Sequence, residues 1–193
     1  IFDPNPQLAT IEMGSVSDYR WHDSLGRENY GGLVKPPNFD PGRRYPLVIQ
    51  THGFTSTRFF KVGYSETSNA GRALAGRDIV VLQVREPGSY DDERWNDAVE
   101  NGLDVYLAAI DQLSESGMID AKKVGITGYS YTGWTVATSI TRAPDRFAAA
   151  VLANTDPVTF TGYYSYIDTP LADLVVSEYV GAHPLGDGLQ TWI

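Results

Sequence analysis

Runs of apolar residues give the first outline of this chain. Tyr45-Pro46-Leu47-Val48-Ile49-Gln50-Thr51 and residues 78–84 are nearly continuous apolar stretches bounded by turn residues. Such runs suit central strands of a parallel sheet covered on both faces. Residues 123–127, with Val124 and Ile126 at alternate positions, and residues 147–153 read the same way. Upstream, residues 11–13, 15–21 and 30–34 are shorter and partly alternating, as edge strands are. His22-Asp23-Ser24-Leu25-Gly26 is the turn of this entry hairpin, which spans about residues 10–35. Pro36-Pro37 stops it, and Asp40-Pro41-Gly42 turns the chain toward the core, which begins at about residue 45.

Helical periodicity appears between these runs. Trp95, Val99, Leu103, Tyr106, Leu107, Ile110 and Leu113 recur at steps of three and four, which predicts a long amphipathic helix over residues 94–114. Shorter helices are predicted over residues 67–75, from Ser130 to about Arg142, and over residues 171–179. Ala143-Pro144-Asp145 ends the second of these, because proline disfavours helix at the residue before it. The segment holding Phe160, Tyr163, Tyr164 and Tyr166 reads as irregular. Strand and helix alternate throughout, with no repeat or linker. The expectation is one α/β unit over residues 1–193, a mostly parallel sheet with helices on both faces.

Composition narrows the functional classes. The 193 residues carry a formal net charge of −9, which disfavours a nucleic-acid partner. No run is long and apolar enough to cross a bilayer as a helix, so no membrane role is expected. Cysteine is absent, which removes disulfides, thiolate nucleophiles and cysteine-held metals. The three histidines have no ligand spacing, and Asp91-Asp92-Glu93 reads as a solvated helix start, so no metal or other cofactor is expected. The chain opens on Ile1 rather than Met, which leaves the compartment open. The lack of an Asn-x-Ser/Thr sequon leans toward the cytoplasm.

The candidate chemistry lies in residues 124–134. Val124 to Ile126 is a short strand, Gly128-Tyr129-Ser130-Tyr131-Thr132-Gly133 a sharp turn, and a helix follows. This is the pattern of a nucleophile elbow, in which a tight turn lifts the serine Oγ out of the sheet edge. Glycines are needed where strand and helix approach closely. The helix N-terminus faces the serine and favours an oxyanion beside it. The plain alternative is a surface serine in an ordinary strand-to-helix turn. His52-Gly53-Phe54-Thr55 follows an apolar run, at the carboxyl end of a strand where α/β sheets place ligands.

Taken together, these motifs resemble the catalytic domain of the prolyl oligopeptidase family, an α/β-hydrolase fold. Tyr45-Pro46-Leu47-Val48 leading to His52-Gly53 resembles that family's strand and His-Gly-Gly loop. Residues 118–128 resemble its lead into the elbow, and Gly128-Tyr129-Ser130-Tyr131-Thr132-Gly133 its Gly-x-Ser-Tyr-Gly-Gly motif. The resemblance runs from about residue 10 to the end. The bacterial isopeptidases that open lasso peptides are a similar-looking subgroup. Two positions depart from the pattern. Thr132 stands where the family has glycine, which would shift the helix, and Phe54 replaces the second glycine of the loop.

The resemblance implies a serine hydrolase that cleaves peptide or isopeptide bonds through an acyl-enzyme on Ser130. Its oxyanion hole would use the backbone N–H of Tyr131 and one from the loop at Phe54. Phe160, Tyr163 and Tyr164 fall where the family builds its apolar substrate pocket; ordinary core packing explains them equally well. In this fold the acid and base follow the serine on later strands. Residues 131–193 show no two further strands, so the fold is expected to be incomplete at its C-terminal side. The catalytic Asp and His, and an N-terminal β-propeller, are then expected from sequence outside this chain. His183 and Asp156 are the weaker internal substitutes. A carboxylesterase of the same fold and a non-catalytic hydrolase-fold binding protein are the competing functions.

Overall fold

The structure is a computed structural model that describes residues 6–12, 14–54, 71–85, 95–155, 160–165, 167–170, 172 and 181–192. Six strands form one sheet: β1 (Val16–His22), β2 (Glu28–Val34), β3 (Tyr45–Gln50), β4 (Val80–Val84), β5 (Ile119–Tyr129) and β6 (Ala149–Ala153). Their spatial order is β1-β2-β4-β3-β5-β6. The pairs β3/β4, β3/β5 and β5/β6 are parallel, while β1/β2 and β2/β4 are antiparallel. The described helices are α1 (Gly71–Ala75), α2 (Trp95–Glu115), α3 (Tyr131–Arg142) and α4 (Phe160–Ser165).

The expected α/β architecture is present. Val80 to Val84 is buried along its whole length, as the apolar run requires. Leu47, Ile49, Leu82, Val124 and Ile126 point to one face and meet Val105, Tyr106, Ile110 and Leu113 of α2. Val34 and Val81 point to the other, where Ala75 of α1 and Phe54 cover them. Alternation of side chains along each strand divides the two layers. Gln50 and Gln83 share the second face, and Gln83 donates from Nε2 to Gln50 Oε1 at 3.0 Å, so neither buried amide group is stranded there.

Several local expectations are corrected. Ile11 and Glu12 lie outside any strand; the chain forms a 3-10 turn at Pro6–Thr10, which Thr10 closes by donating to the Gln7 carbonyl. Pairing begins only at Val16 opposite Val34. The aromatic segment read as irregular contains the helix Phe160–Ser165. Its Phe, Thr, Gly and Tyr residues have weak helix propensity, which hides it from a periodicity reading. The strand expected over 147–153 begins at Ala149. Met13, the helix start near residues 67–70, the acidic residues 91–93, Tyr166 and most of the 171–179 segment lie outside the described residues.

The buried stripe of α2 is also rotated from the predicted one. Gly102, Val105, Tyr106, Ala109, Ile110 and Leu113 are buried, whereas Leu103 and Leu107 are half-buried. The cause is α3. A Cβ on Gly102 would stand 2.3 Å from Thr135 Cγ2, so the two helices meet at that glycine and turn it inward. The entry hairpin locks onto the same helix. Trp21, 1% exposed, donates from Nε1 to the Val105 carbonyl at 3.0 Å, and Ser24 donates from its amide and hydroxyl to Asp104.

Candidate active site

The strand order creates the site. From β3 the chain passes to β4 on one side, then crosses through α2 to β5 on the other. The carboxyl ends of β3 and β5 are therefore neighbours at a topological switch point, where open α/β sheets bind ligands. The loop at His52 leaves β3 there, and Ser130 ends β5 there.

Ser130 has φ 52° and ψ −130°, a conformation that non-glycine residues rarely adopt. It sits at the N-cap of α3, yet its side chain makes no capping hydrogen bond. A serine at that position ordinarily turns its oxygen back to the helix amides. Here the twisted backbone leaves the side chain out of the cap, a geometry that a strand-to-helix nucleophile elbow shares. The turn is held from both sides: Ser130 donates its amide to the Ala153 carbonyl at 3.2 Å, and Gly133 donates to the Ser130 carbonyl at 3.1 Å.

The two flanking glycines permit this turn. A Cβ on Gly128 would meet Gly133 Cα at 2.5 Å, and one on Gly133 would meet Thr155 Oγ1 at 1.7 Å. Strand β5, helix α3 and the exit of β6 converge at these two residues. Thr132 packs into this junction. It is wholly buried, and its hydroxyl bonds to Thr51 and to the Tyr129 carbonyl.

The loop after β3 is bent by consecutive positive φ angles, 83° at His52 and 95° at Gly53. The His52 ring lies 4.9 Å from Tyr129 edge-on and 5.1 Å from Tyr131, so it is held by both neighbours of the serine. Phe54 is 6% exposed and buries its ring on the α1 side, edge-on to Tyr30 at 6.2 Å. The residue that departs from the glycine pattern thus anchors the loop in the core. Tyr131 opens α3 directly after the serine, in the first turn of the helix.

Tyr163 is buried among Tyr164, His183 and Trp192, with ring separations of 5.5, 6.4 and 5.4 Å, and its hydroxyl is 3.4 Å from His183 Nδ1. Tyr164 is 43% exposed. Phe160 begins α4; its side chain, like Asp156, lies outside the described residues. One feature that sequence reasoning missed is a groove of about 310 Å³ beside the elbow, lined by Trp134, Ala137, Leu152, Asn154 and Thr155. Trp134, one helical turn past Ser130, is the signal that could have found it. Among the described residues no three His, Asp or Glu side chains gather to hold a metal ion, and no helix is long and apolar enough to cross a membrane.

Comparison with known proteins agrees with this geometry. Residues 65–180 match the family model described as the prolyl oligopeptidase family. The lasso peptide isopeptidase AtxE2 of Asticcacaulis excentricus is 30% identical over 175 residues, covering 83% of this chain and 25% of that protein. Its apo structure superposes with a TM-score of 0.67 at 25% identity, over 92% of this chain and 28% of that one. Prolyl endopeptidase FAP of Mus musculus is 27% identical over 170 residues, covering 84% of this chain and 21% of that protein. The acylaminoacyl peptidase of Pyrococcus horikoshii shares the fold with a TM-score of 0.72 at 18% identity, over 99% of this chain and 31% of that one. The chain thus spans about a quarter of the length of the curated relatives it matches. With the family model covering more than half its length, and the sheet and elbow arranged as described, the chain belongs to the prolyl oligopeptidase family.

Proposed function

We propose that this chain supplies the nucleophile and oxyanion hole of a serine peptidase acting on peptide or isopeptide bonds. The observation that carries this reading is Ser130 itself, held at φ 52° with no side-chain capping bond, between a helix N-terminus and the bent His52 loop. Ser130 Oγ attacks the acyl carbon, its proton passes to an imidazole, and the amine leaves with a proton from the same base. Water then hydrolyses the acyl-enzyme. The amides of Tyr131 and Phe54 receive the tetrahedral oxyanion; one such donor is worth about 10²–10³ in rate. His52 keeps the loop in place against Tyr129 and Tyr131.

The Asp and His of the triad come from sequence outside these 193 residues, as does a β-propeller. The relatives' greater length supports this. So do Val151 and Leu152 of β6, 58% and 41% exposed, which leave apolar surface for further chain to cover. Tyr163, Tyr164 and Phe160 remain proposed for the substrate pocket. The name of the isopeptidase relative favours a constrained peptide as substrate.

The test is a pair of matched substrates, one amide and one ester, turned over by the full-length protein that contains this chain. Hydrolysis of both is expected, with Ser130→Ala lowering kcat by about 10⁴-fold or more for each. Turnover of the ester alone would make the protein an esterase, and turnover of neither would favour a binding protein.

A further inference from the structure

Beneath the serine lies a polar clip that this reaction scheme does not use. Thr132 is 0% and Thr51 2% exposed. Thr51 Oγ1 is 2.7 Å from Thr132 Oγ1 and 2.8 Å from the Thr127 carbonyl oxygen. Thr132 Oγ1 is 2.8 Å from the Tyr129 carbonyl oxygen and accepts the Tyr129 amide at 3.2 Å. Three oxygen–oxygen contacts must share two hydroxyl protons, because each threonine carries one. The Thr127 carbonyl already receives the Thr51 amide at 3.2 Å. Because the Thr127 carbonyl already has that amide, we assign the Thr51 proton to Thr132 and the Thr132 proton to Tyr129, which leaves the Thr51 Oγ1–Thr127 contact without a proton of its own. Thr132 Oγ1 then accepts two bonds and donates one, which fills its capacity.

We propose that the Thr51–Thr132 hydroxyl pair is the positioning device that sets the oxyanion hole, an inference that rests on Ser130 being the nucleophile. Residues 129 and 132 bracket the serine, and their mutual bonds fix the elbow. Thr51 immediately precedes the two positive-φ residues that bend the loop. A single buried hydroxyl contact therefore ties together the two backbone segments whose amides face the developing oxyanion. Thr132 stands where the resemblance leads one to expect glycine, and glycine has no hydroxyl to make the tie. The pair acts through backbone position. Misplacement of catalytic groups by about 1 Å can cost about 10²-fold in rate, so the tie has leverage.

The test compares Thr132→Val, Thr132→Ser, Thr51→Val, Thr51→Ser and the double valine variant in the full-length protein. Two quantities are read: kcat and KM per active site, titrated with a fluorophosphonate, and affinity for a peptide boronic acid, whose adduct is an anionic tetrahedron. Each single valine variant should lower kcat and weaken boronate binding about ten- to a hundred-fold, with KM nearly unchanged. The double variant should lose no more than the worse single one, and each serine variant should recover most of the rate. A merely structural role would lower the titratable fraction and leave the rate per site intact; that result overturns the proposal. If Thr132→Val does not fold, Thr51→Val against Thr51→Ser decides alike, and equal rates per site refute the tie. Wild-type protein labelled at Ser130 with unaffected valine variants removes this inference alone. Wild-type protein left unlabelled removes the nucleophile reading and this inference with it.

Discussion

Ser130 is expensive to hold. A non-glycine residue at φ 52° and ψ −130° costs about 1–3 kcal/mol, and the forgone helix cap adds to that. The surroundings offset the cost through the Ala153 carbonyl, the Gly133 amide and the close convergence at Gly128 and Gly133. The two glycines fail differently when substituted. Gly128→Ala drives a methyl into the Gly133 backbone, which has nowhere to go, and should cost about 3 kcal/mol or more with loss of activity. Gly133→Ala collides with the Thr155 side chain, so Gly133→Ala combined with Thr155→Gly should recover a good part of the loss. Denaturant unfolding of wild type, the two glycine variants and each of them combined with Thr155→Gly measures this. Equal rescue of both glycine variants by Thr155→Gly would contradict the packing account. At this scale the serine and its glycines were readable from spacing alone. The role of Thr132 was not, because a buried hydroxyl declares itself only once its partner, distant in sequence, is known.

Among the elements, the entry hairpin and α2 depend on each other. The turn at Asp23 is the joint: its carboxylate, with the side chain 1% exposed, accepts the Leu25 and Arg27 amides and pairs with Arg27 Nε at 2.7 Å. Burial pushes the Asp23 pKa up, but the hydrogen bonds from Arg27 and Asn29 and the Arg27 charge outweigh it, so the net shift is downward. A carboxylate with a lowered folded pKa stabilises the fold fully above its ordinary value of about 3.9, and that contribution fades as pH falls through the lowered value. Wild type should therefore exceed Asp23→Asn in stability by a constant margin above about pH 5, and the margin should narrow below about pH 4. Urea unfolding across this range measures it, and a margin that stays level into strong acid would contradict the assignment. The central strands and α2 were legible because their hydrophobic patterns are strong, and the hairpin, more weakly patterned, because its turn residues mark it. The turn of the α2 stripe toward Gly102, Val105 and Ala109 was not, since Leu103 and Leu107 are the more apolar residues and packing against the sheet, Trp21 and Thr135 is not visible in the local pattern.

Across the whole molecule, function follows from strand order. The order β1-β2-β4-β3-β5-β6 sets the His52 loop beside Ser130, and no local pattern in the chain states that order. The strands and the two motifs, at residues 45–53 and 118–133, were legible in the sequence, but their spatial order was not. At the aromatic cluster the resemblance leaves the choice open: Tyr163 packs at 5.4–6.4 Å against Trp192, Tyr164 and His183, an arrangement that suits a pocket wall and core packing alike. The account stands or falls on the reactivity of one hydroxyl. Treating the full-length protein with a fluorophosphonate and mapping the adduct by mass spectrometry tests it most directly. The prediction is a single phosphonyl group on the peptide containing Ser130, absent from Ser130→Ala; an inert wild-type protein, or an adduct on another residue, would contradict it.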